Sequence, residues 1–425
     1  MAKIFKLWTI LSLSIAAGGA CSRSTEPETS STVQPAGQND DSGSPVMAIV
    51  DYLGSRFTDP AVLDRYARAD LIVLESAYLW GVEVNCGAVA ELKRRNPNLR
   101  VVGYAPAHTS GTGWGLPSAP DSIPNPYLRD WYQATRPFWT WTTLGDTMMT
   151  WPRKVLLQVT NPACRAAMIE IIARWNEAGV NRLDGVFWDF FNDPLWIAPW
   201  LDNVEGEPDL DGDGISYFED PDEQQAYRQS QVLLVQELRA RMGEGFLQIF
   251  NGGRGTSDST FAALADGIMY ERFPLVGFGG TEQVLRALDP ARPNNLFTAR
   301  HWPRTVNGGP WVLLNSVDRI SWIDGAGGLV DYAIADINRP LAMLLDLAVD
   351  YHDGGVMGYG WPDVEIDVGR PTAPLRREGD SFWRDFERGR VTLTLTTGSY
   401  PLPYDFTIVQ DGQIVQSLVW PAHMP

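Results

Sequence analysis

A chain of 425 residues, 44% of them hydrophobic, is long enough to bury one large core of the α/β-barrel kind together with a small addition. Its formal net charge of -18 excludes nucleic acids and anionic lipid surfaces as partners, because both require a basic protein surface. A neutral or cationic substrate fits this charge. The 17 tryptophans, many of them in predicted loops, indicate either sugar-stacking surfaces or a large aromatic core.

The N-terminal residues have the order of a secretory signal. Two lysines precede an apolar run from Leu7 to Ala17, and Ala17-Gly-Gly-Ala-Cys21 follows. The segment resembles a bacterial lipoprotein signal, which implies lipidation of Cys21. We therefore predict a signal over residues 1–21 and an exported cell-envelope lipoprotein, at the outer membrane, that meets a membrane only through its lipid anchor. Ordinary signal cleavage, with Cys21 unmodified, is the alternative.

The rest of the chain predicts a linker, a barrel and a small β addition. Residues 22–45 are rich in Ser, Thr, Gly, Pro and Asp and are predicted to be a disordered linker. Strand and helix patterns then alternate, as in βα units around a parallel sheet. The predicted strands cover residues 47–52, 71–75, 100–105, 184–189, 246–251, 267–273, either 296–299 or 311–315, and 355–359. The predicted helices cover residues 59–69, 87–95, 161–176, 220–242, 262–265 and 331–351.

Eight such units predict an α/β fold of the (β/α)₈ TIM-barrel type over residues 46–388. A long segment over residues 108–152, rich in Gly, Pro and Trp, is predicted to be a functional loop or lid, and a short strand is expected over residues 154–159. A small β appendage with an Asp-Gly hairpin turn is predicted over residues 389–425. The protein is predicted to be a monomer.

Six predicted strands end in a polar side chain. With a side-chain period of two, each of these residues shares a face with an apolar residue two positions earlier. Each could be an ordinary helix cap, but burying several carboxylates side by side is costly unless function requires it. We therefore predict that they converge on a cleft at the carboxyl end of the barrel, together with Trp188, Asn192, Asp193 and Tyr359. The six are Asp51, Glu75, Tyr104, Asp189, Asn251 and Glu271.

Two carboxylates that face a polar, uncharged substrate are what glycosidic cleavage requires. One carboxyl group donates a proton to the leaving oxygen, and the other attacks the sugar or activates water. We predict that Asp189 is the nucleophile or base and that Glu271 is the acid, with a polysaccharide as substrate. The separation that decides between retention and inversion of configuration cannot be predicted from the sequence.

Four motifs resemble those of glycoside-hydrolase-like barrel families. They are Asn161-Pro162 before a helix, Asp184-Gly-Val-Phe-Trp-Asp189, Asn251-Gly252, and Ala265-Asp-Gly-Ile-Met-Tyr-Glu271. The families include the one called hypothetical glycosyl hydrolase 15 and the related endo-α-1,4-polygalactosaminidase barrels. The resemblance implies a (β/α)₈ fold and an O-glycosyl hydrolase with Asp189 and Glu271 in the catalytic positions. A non-catalytic glycan-binding barrel and a barrel that processes a small metabolite are the alternatives.

An acidic motif, Asp209-Leu-Asp-Gly-Asp-Gly214, is typical of a structural Ca²⁺ loop. Carboxylates at alternate positions supply hard oxygen ligands, and glycine permits the sharp turn that wraps them around a cation. We predict that Asp209, Asp211 and Asp213 bind calcium, together with the carbonyl of Ile215 and with Asp220 at the twelfth position. A solvated acidic loop without a metal is the alternative.

Overall fold

The computed structural model describes residues 46–51, 57–81, 85–110, 122–151, 154–179, 181–198, 205–251, 259–271, 311–315, 319–323, 329–333, 338–350, 366–395 and 404–419. The predicted signal and linker lie outside these residues, as do Cys21, Tyr359 and the strands predicted over 296–299 and 355–359. Within the described ranges, no helix combines the length and the apolar character that crossing a membrane requires.

The strands are β1 (Val46–Asp51), β2 (Leu71–Glu75), β3 (Arg100–Pro106), β4 (Thr109–Ser110), β5 (Trp141–Thr142), β6 (Met149–Trp151), β7 (Lys154–Leu156), β8 (Gly185–Asp189), β9 (Pro208–Asp209), β10 (Leu247–Asn251), β11 (Gly267–Tyr270), β12 (Trp311–Leu314), β13 (Arg319–Ile323), β14 (Leu329–Ala333), β15 (Ala348–Asp350), β16 (Arg376–Glu378), β17 (Ser381–Phe386), β18 (Gly389–Leu395), β19 (Tyr404–Gln410) and β20 (Gln413–Val419). The helices are α1 (Pro60–Tyr66), α2 (Ser76–Gly81), α3 (Ala88–Arg95), α4 (Pro126–Thr135), α5 (Pro162–Ala178), α6 (Pro221–Met242), α7 (Ser259–Ala262) and α8 (Asn338–Leu345), and a 3₁₀ turn covers Arg136–Phe138.

Eight parallel strands close into a barrel in the order β1, β2, β3, β8, β10, β11, β12 and β15, and β15 pairs with β1. This confirms the predicted α/β barrel. Alternate side chains of the strands fill the interior, so the barrel is a packed core and not a pore. The remaining strand residues face the surrounding helices. The buried interior residues are Ala48, Val50, Leu71, Val73, Val102, Phe187, Leu247, Ile249, Met269 and Leu313.

Three helices begin where the sequence carries the expected signals. Asp59, Asn161 and Asp220 each accept a backbone N–H bond at a helix start, and a proline occupies the first turn. These caps satisfy amide groups that have no partner inside the helix. They also fix where α1, α5 and α6 enter the layer around the barrel.

The helix predicted over residues 331–351 is wrong at both ends. Residues Leu329–Ala333 form β14, which pairs with β13. Among the described residues that follow, Asn338–Leu345 are helical before β15 completes the barrel. Buried apolar residues run from Leu341 to Leu345 and resume at Leu347 after the exposed Asp346. Hydrophobic periodicity cannot locate a helix boundary inside such a run, because a buried helix and a buried strand have the same composition.

The segment after β3 folds over the carboxyl end of the barrel. The strand predicted over residues 154–159 is present as β7, but it belongs to a separate antiparallel sheet with β4 and β6. In addition, β5 pairs with β9, which lies in the connection after β8. Two long connections are thereby joined above the same end of the barrel.

The C-terminal region is a separate five-stranded antiparallel sheet of β16 to β20. It begins at Arg376, ahead of the boundary predicted at residue 389. The predicted Asp411-Gly412 turn joins β19 to β20, with φ of 50° and 77° at its two residues. Both values lie in the left-handed region that a tight hairpin turn requires.

Candidate active site

Five polar side chains lie at or just beyond the carboxyl ends of barrel strands β2, β3, β8, β10 and β11. Each is two residues beyond a side chain that fills the barrel interior, so each continues the inward face of its strand. The five are Glu75, Tyr104, Asp189, Asn251 and Glu271. All five were predicted at this place.

One amide group joins the two predicted catalytic carboxylates. Asn251 Nδ2 donates to Asp189 Oδ1 at 2.9 Å and to Glu271 Oε2 at 2.9 Å. The side-chain amide has two protons and can serve both acceptors at once. The two carboxylate oxygens therefore lie within twice that distance of each other. Asp189 and Glu271 come together across Asn251.

Asp189 is surrounded by hydrogen-bond donors and is nevertheless a weak acid. The Tyr104 hydroxyl donates to Asp189 Oδ2 at 2.6 Å, and the backbone of Phe190 contributes a further hydrogen bond. Burial, followed by the charge of Glu271, outweighs these donors and raises the pKa of Asp189 to about 6. Phe190 has a φ of 56°, in the left-handed region. Such strain at a non-glycine residue is typical of functional sites.

Glu75 is a second carboxyl group with a raised pKa. Burial raises its pKa to about 7, and the charges of Asp189 and Asp51 act in the same direction. The charge of Lys154 on β7 opposes them, as does the N–H of Ala77, which donates to Glu75 Oε1 at 3.2 Å. Lys154 therefore lies close to the site. The sequence placed it on a strand but gave no signal that this strand folds over the barrel.

Asp51 does not join the group, which corrects the prediction. It is 1% exposed, and Tyr66 of α1 donates its hydroxyl to Asp51 Oδ2 at 2.9 Å. The inward residues of β1 are Ala48 and Val50, while Ile49 packs in the outer cluster. With a period of two, Asp51 shares the outward face of Ile49. The prediction that the face of β1 carrying Asp51 turns toward the barrel interior was wrong.

The prediction that Trp188 lies in the cleft is also wrong. It lies between the inward residues Phe187 and Asp189 and must therefore face the helices. Its side chain is fully buried there, and its Nε1 donates to Gln248 Oε1 at 3.0 Å. A residue in this position supports the barrel wall from outside and cannot line the cleft.

Asn192 and Asp193 lie on the turn that follows the site. The backbone N–H of Asn192 donates to the carbonyl of Phe190 at 2.9 Å. Asp193 forms an ion pair with Arg228 of α6. Its carboxylate thus holds the turn to the outer helix layer.

Three partly exposed aromatic rings form a wall beside Asp189, which we call the aromatic wall: Trp151, Phe190 and Trp196. The ring centroids of Trp151 and Trp196 are 5.9 Å apart, and those of Phe190 and Trp196 are also 5.9 Å apart. The chain reaches this wall from β6 and from the connection after β8. Composition predicted aromatic residues in loops, but the two tryptophans that meet here are far apart in sequence and could not be selected from it.

The predicted calcium motif forms an acidic loop over residues 209–220. One carboxylate oxygen each from Asp211, Asp213 and Asp220 lie within 4.8 Å of one another. Ile215 is 48% exposed, and its N–H donates to Asp213 Oδ1 at 2.7 Å. A second group with the same spacing consists of Asp209, Asp211 and Glu223. Glu223 was missed because it lies beyond the twelve positions of an EF-hand loop.

No protein-family model matches the sequence, and a search of curated proteins found no match. Among solved structures, the chain is similar to the GH36 α-galactosidase AgaA of Geobacillus stearothermophilus. The TM-score is 0.41 at 10% identity, over 90% of this chain and 54% of that chain. It is also similar to the α-galactosidase of Lactobacillus brevis, with a TM-score of 0.39 at 10% identity, over 90% of this chain and 53% of that one.

Ega3 of Aspergillus fumigatus, in complex with galactosamine, matches with a TM-score of 0.29 at 14% identity, over 62% of this chain and 90% of that chain. The chain spans about half the length of the α-galactosidases it matches. The similarity is one of fold, to structures of glycoside hydrolases. TM-scores this low carry no argument about activity, which depends on the site itself.

Proposed function

We propose that the protein is a glycoside hydrolase that cleaves a polysaccharide with Asp189 and Glu271. The observation that carries this proposal is the amide of Asn251, which donates to both carboxylates at 2.9 Å and so holds them close together. Two carboxyl groups at the carboxyl end of an α/β barrel are the minimum that glycosidic cleavage requires.

Asp189 is the nucleophile in this mechanism, and Glu271 is the acid. Tyr104 and Asn251 both donate to Asp189, which orients its carboxylate toward the anomeric carbon. Glu271 protonates the leaving oxygen and afterwards removes a proton from the attacking water. The two oxygens that Asn251 binds can be at most twice 2.9 Å apart, which is shorter than the ~6.5–9.5 Å that separates the carboxyl groups of inverting enzymes. The proposed outcome is retention of configuration.

A neutral or cationic polymer is the proposed substrate class. The net charge of -18 opposes polyanionic chains and favours polymers that contain free amino sugars. The aromatic wall supplies flat apolar faces beside Asp189, and sugar rings stack on such faces through their C–H groups. Neutral polysaccharides and polymers of amino sugars therefore form the panel of test substrates.

The test is release of new reducing ends from a panel of neutral and amino-sugar polysaccharides, with products identified by mass spectrometry. The control is the double variant Asp189→Asn, Glu271→Gln, which keeps the shape of the cleft and removes both carboxylates. Product from the wild type and none from the variant supports the proposal. Binding without any product would instead make the protein a glycan-binding barrel.

The pH dependence of hydrolysis should report the raised pKa of Asp189. The nucleophile must be ionised, so kcat/KM should fall about tenfold per unit as the pH drops below about 6. The measurement is a pH profile of kcat/KM on a substrate that does not ionise in this range. An acidic limb near pH 4 would contradict the burial of this carboxylate.

Glu75→Gln should stabilise the protein above pH 7. A folded-state pKa near 7 against an ordinary 4.5 means that the native protein favours protonated Glu75, so ionisation costs stability above about pH 7. Removing that charge should raise the free energy of unfolding by up to ~3 kcal/mol at pH 8. The gain should shrink as the pH falls and vanish below about 4.5, as measured by urea denaturation.

Glu91→Gln is a control that should change the free energy of unfolding in the opposite direction. Hydrogen bonds from Arg94 and Arg95 lower the pKa of Glu91 to about 2. Its charge therefore adds stability at neutral pH, and that contribution is lost as the pH falls toward 2. The variant should be less stable than the wild type at pH 7. A shift in the same direction for both variants would contradict this account.

The lipid anchor on Cys21 remains a proposal from the sequence. In a bacterial host that processes lipoproteins, the full chain should incorporate labelled palmitate and fractionate with membranes. Cys21→Ser should be exported, unlabelled and released from the membrane. A wild-type chain without label would leave ordinary signal cleavage as the explanation.

A further inference from the structure

We infer that the acidic loop and the start of α6 form a calcium site in which Glu223 is the buried ligand. The site is separate from the catalytic carboxylates. It uses side chains that no step of the proposed hydrolysis requires.

Glu223 is the observation that distinguishes this loop from a solvated acidic turn. Its side chain is 4% exposed, and its Oε1 accepts the backbone N–H groups of Leu210 and Asp211. Its Oε2 is buried without a hydrogen-bond donor among the residues that the structure describes. A buried carboxylate oxygen without a partner costs free energy that a bound cation would recover.

The spacing of the oxygens within each group of three carboxylates fits one bound ion. Ligands bound to the same Ca²⁺ at about 2.3–2.6 Å lie no more than about 5 Å from each other. One oxygen each from Asp209, Asp211 and Glu223 meets this limit at 4.8 Å, and so does the group of Asp211, Asp213 and Asp220. Asp211 belongs to both groups. The loop therefore offers two overlapping sets of three carboxylates, and the set with Glu223 contains the buried ligand.

The donor set selects calcium among the common metal ions. All these donors are oxygens, whereas zinc and copper sites use histidine or cysteine. Ca²⁺ accepts six to eight oxygens in an adaptable arrangement, while Mg²⁺ demands a near-ideal octahedron and retains its waters. Ile215 can add its backbone carbonyl, as the seventh residue of such a loop does. Without a cation, carboxylates at this spacing repel one another.

The backbone of the loop is wrapped around Asp209. Gly212 and Gly214 have φ of 83° and 88°, and their N–H groups donate to the two oxygens of Asp209 at 2.6 and 3.0 Å. Residues other than glycine rarely adopt this backbone conformation. The loop thus presents its carboxylates toward the N-terminal end of α6.

The proposed ion would fasten the two connections above the barrel. Asp209 lies on β9, which pairs with β5 from the segment after β3. Gln158 Nε2 donates to the carbonyl of Leu210 at 2.6 Å, and the hydroxyl of Tyr217 accepts the N–H of Leu195 at 3.0 Å. Leu195 precedes Trp196 of the aromatic wall. The ion would thereby stabilise the loops that carry this wall.

Calorimetric titration and thermal melting of the full chain test the site. After treatment with chelator and dialysis, the wild type should bind about one Ca²⁺ per chain, and saturating Ca²⁺ should raise its melting temperature by several degrees. Mg²⁺ at the same concentration should bind at least about tenfold more weakly. Absence of both the heat of binding and the melting shift would overturn the site. Equal binding of Mg²⁺ would overturn its assignment to calcium.

Two variants and one control locate the ion. Glu223→Gln keeps the size of the side chain, and the double variant Asp211→Asn, Asp213→Asn changes two exposed side chains and keeps an acceptor oxygen on each. Each should weaken Ca²⁺ binding at least about tenfold and abolish the melting shift. Asp222→Asn alters the exposed neighbouring carboxylate and should bind Ca²⁺ as the wild type does. Unchanged binding in the folded double variant would disprove the site even if Glu223→Gln does not fold.

Discussion

Asp189→Asn should lower the hydrolysis rate at least ~1000-fold on every substrate, whatever the leaving group. The variant keeps the size of the side chain and one acceptor oxygen, but it cannot form a bond to the anomeric carbon. Steady-state kinetics on the natural polysaccharide and on an aryl glycoside should show the same loss. Circular dichroism and melting curves should show that the variant is folded.

Glu271→Gln should show a different pattern, because an acid is needed only when the leaving group is poor. Hydrolysis of the polysaccharide should again fall by at least ~1000-fold, while a dinitrophenyl glycoside, whose leaving group needs no proton, should retain most of its rate of bond cleavage. Glu75 is the other candidate for the acid, because burial raises its pKa to about 7. If Glu75→Gln loses activity on the polysaccharide but not on the dinitrophenyl glycoside, and Glu271→Gln does not show this difference, Glu75 is the acid.

Asp51→Asn is the matched control for both variants. It changes a carboxylate at the same end of another barrel strand, β1, but one that faces α1 and accepts a hydrogen bond from Tyr66. Asparagine can accept the same hydrogen bond, so activity should stay within about twofold of the wild type. Full activity in Asp189→Asn and Glu271→Gln would dispose of the two-carboxylate assignment.

The central residues of the site could be predicted because the alternation of side chains within each strand determines which way its polar end points. In β8, β10 and β11 the apolar residue two positions before each polar end fills the barrel interior. Local alternation therefore sufficed to place Asp189, Asn251 and Glu271. Local alternation failed for Asp51, because β1 is buried on both faces. Its sequence therefore does not show which set of apolar residues points into the barrel.

The surroundings of the site depend on long-range contacts that no local pattern contains. Lys154 approaches Glu75 only because β7 packs in the sheet above the barrel. Trp151 and Trp196 meet because two connections fold together. Glu223 turns toward the acidic loop because it lies on the first turn of α6, and a pattern confined to twelve positions ends before it. Fold class and strand ends are encoded locally, whereas the walls of the cleft are not.

Trp188→Ala should reduce the free energy of unfolding by about 3–5 kcal/mol and leave the kinetics of the folded protein nearly unchanged. The substitution opens a cavity between the barrel and its helices, because the indole ring is fully buried there. It also leaves Gln248 without the donor that now lies at 3.0 Å. Urea denaturation measures the loss, and kcat/KM per folded molecule checks that the cleft is intact.

Trp196→Ala should have a small effect on stability and a clear effect on the kinetics. This contrast with Trp188→Ala distinguishes a structural tryptophan from a substrate-binding one. Its ring is partly exposed, and its centroid lies 5.9 Å from those of Trp151 and Phe190, so its removal should cost less than about 2 kcal/mol of stability. Loss of a stacking face beside Asp189 should raise KM for the polysaccharide roughly tenfold, which corresponds to ~1.4 kcal/mol, with a smaller change in kcat. A change in KM for Trp188→Ala and none for Trp196→Ala would place the sugar-binding face on the other side of β8.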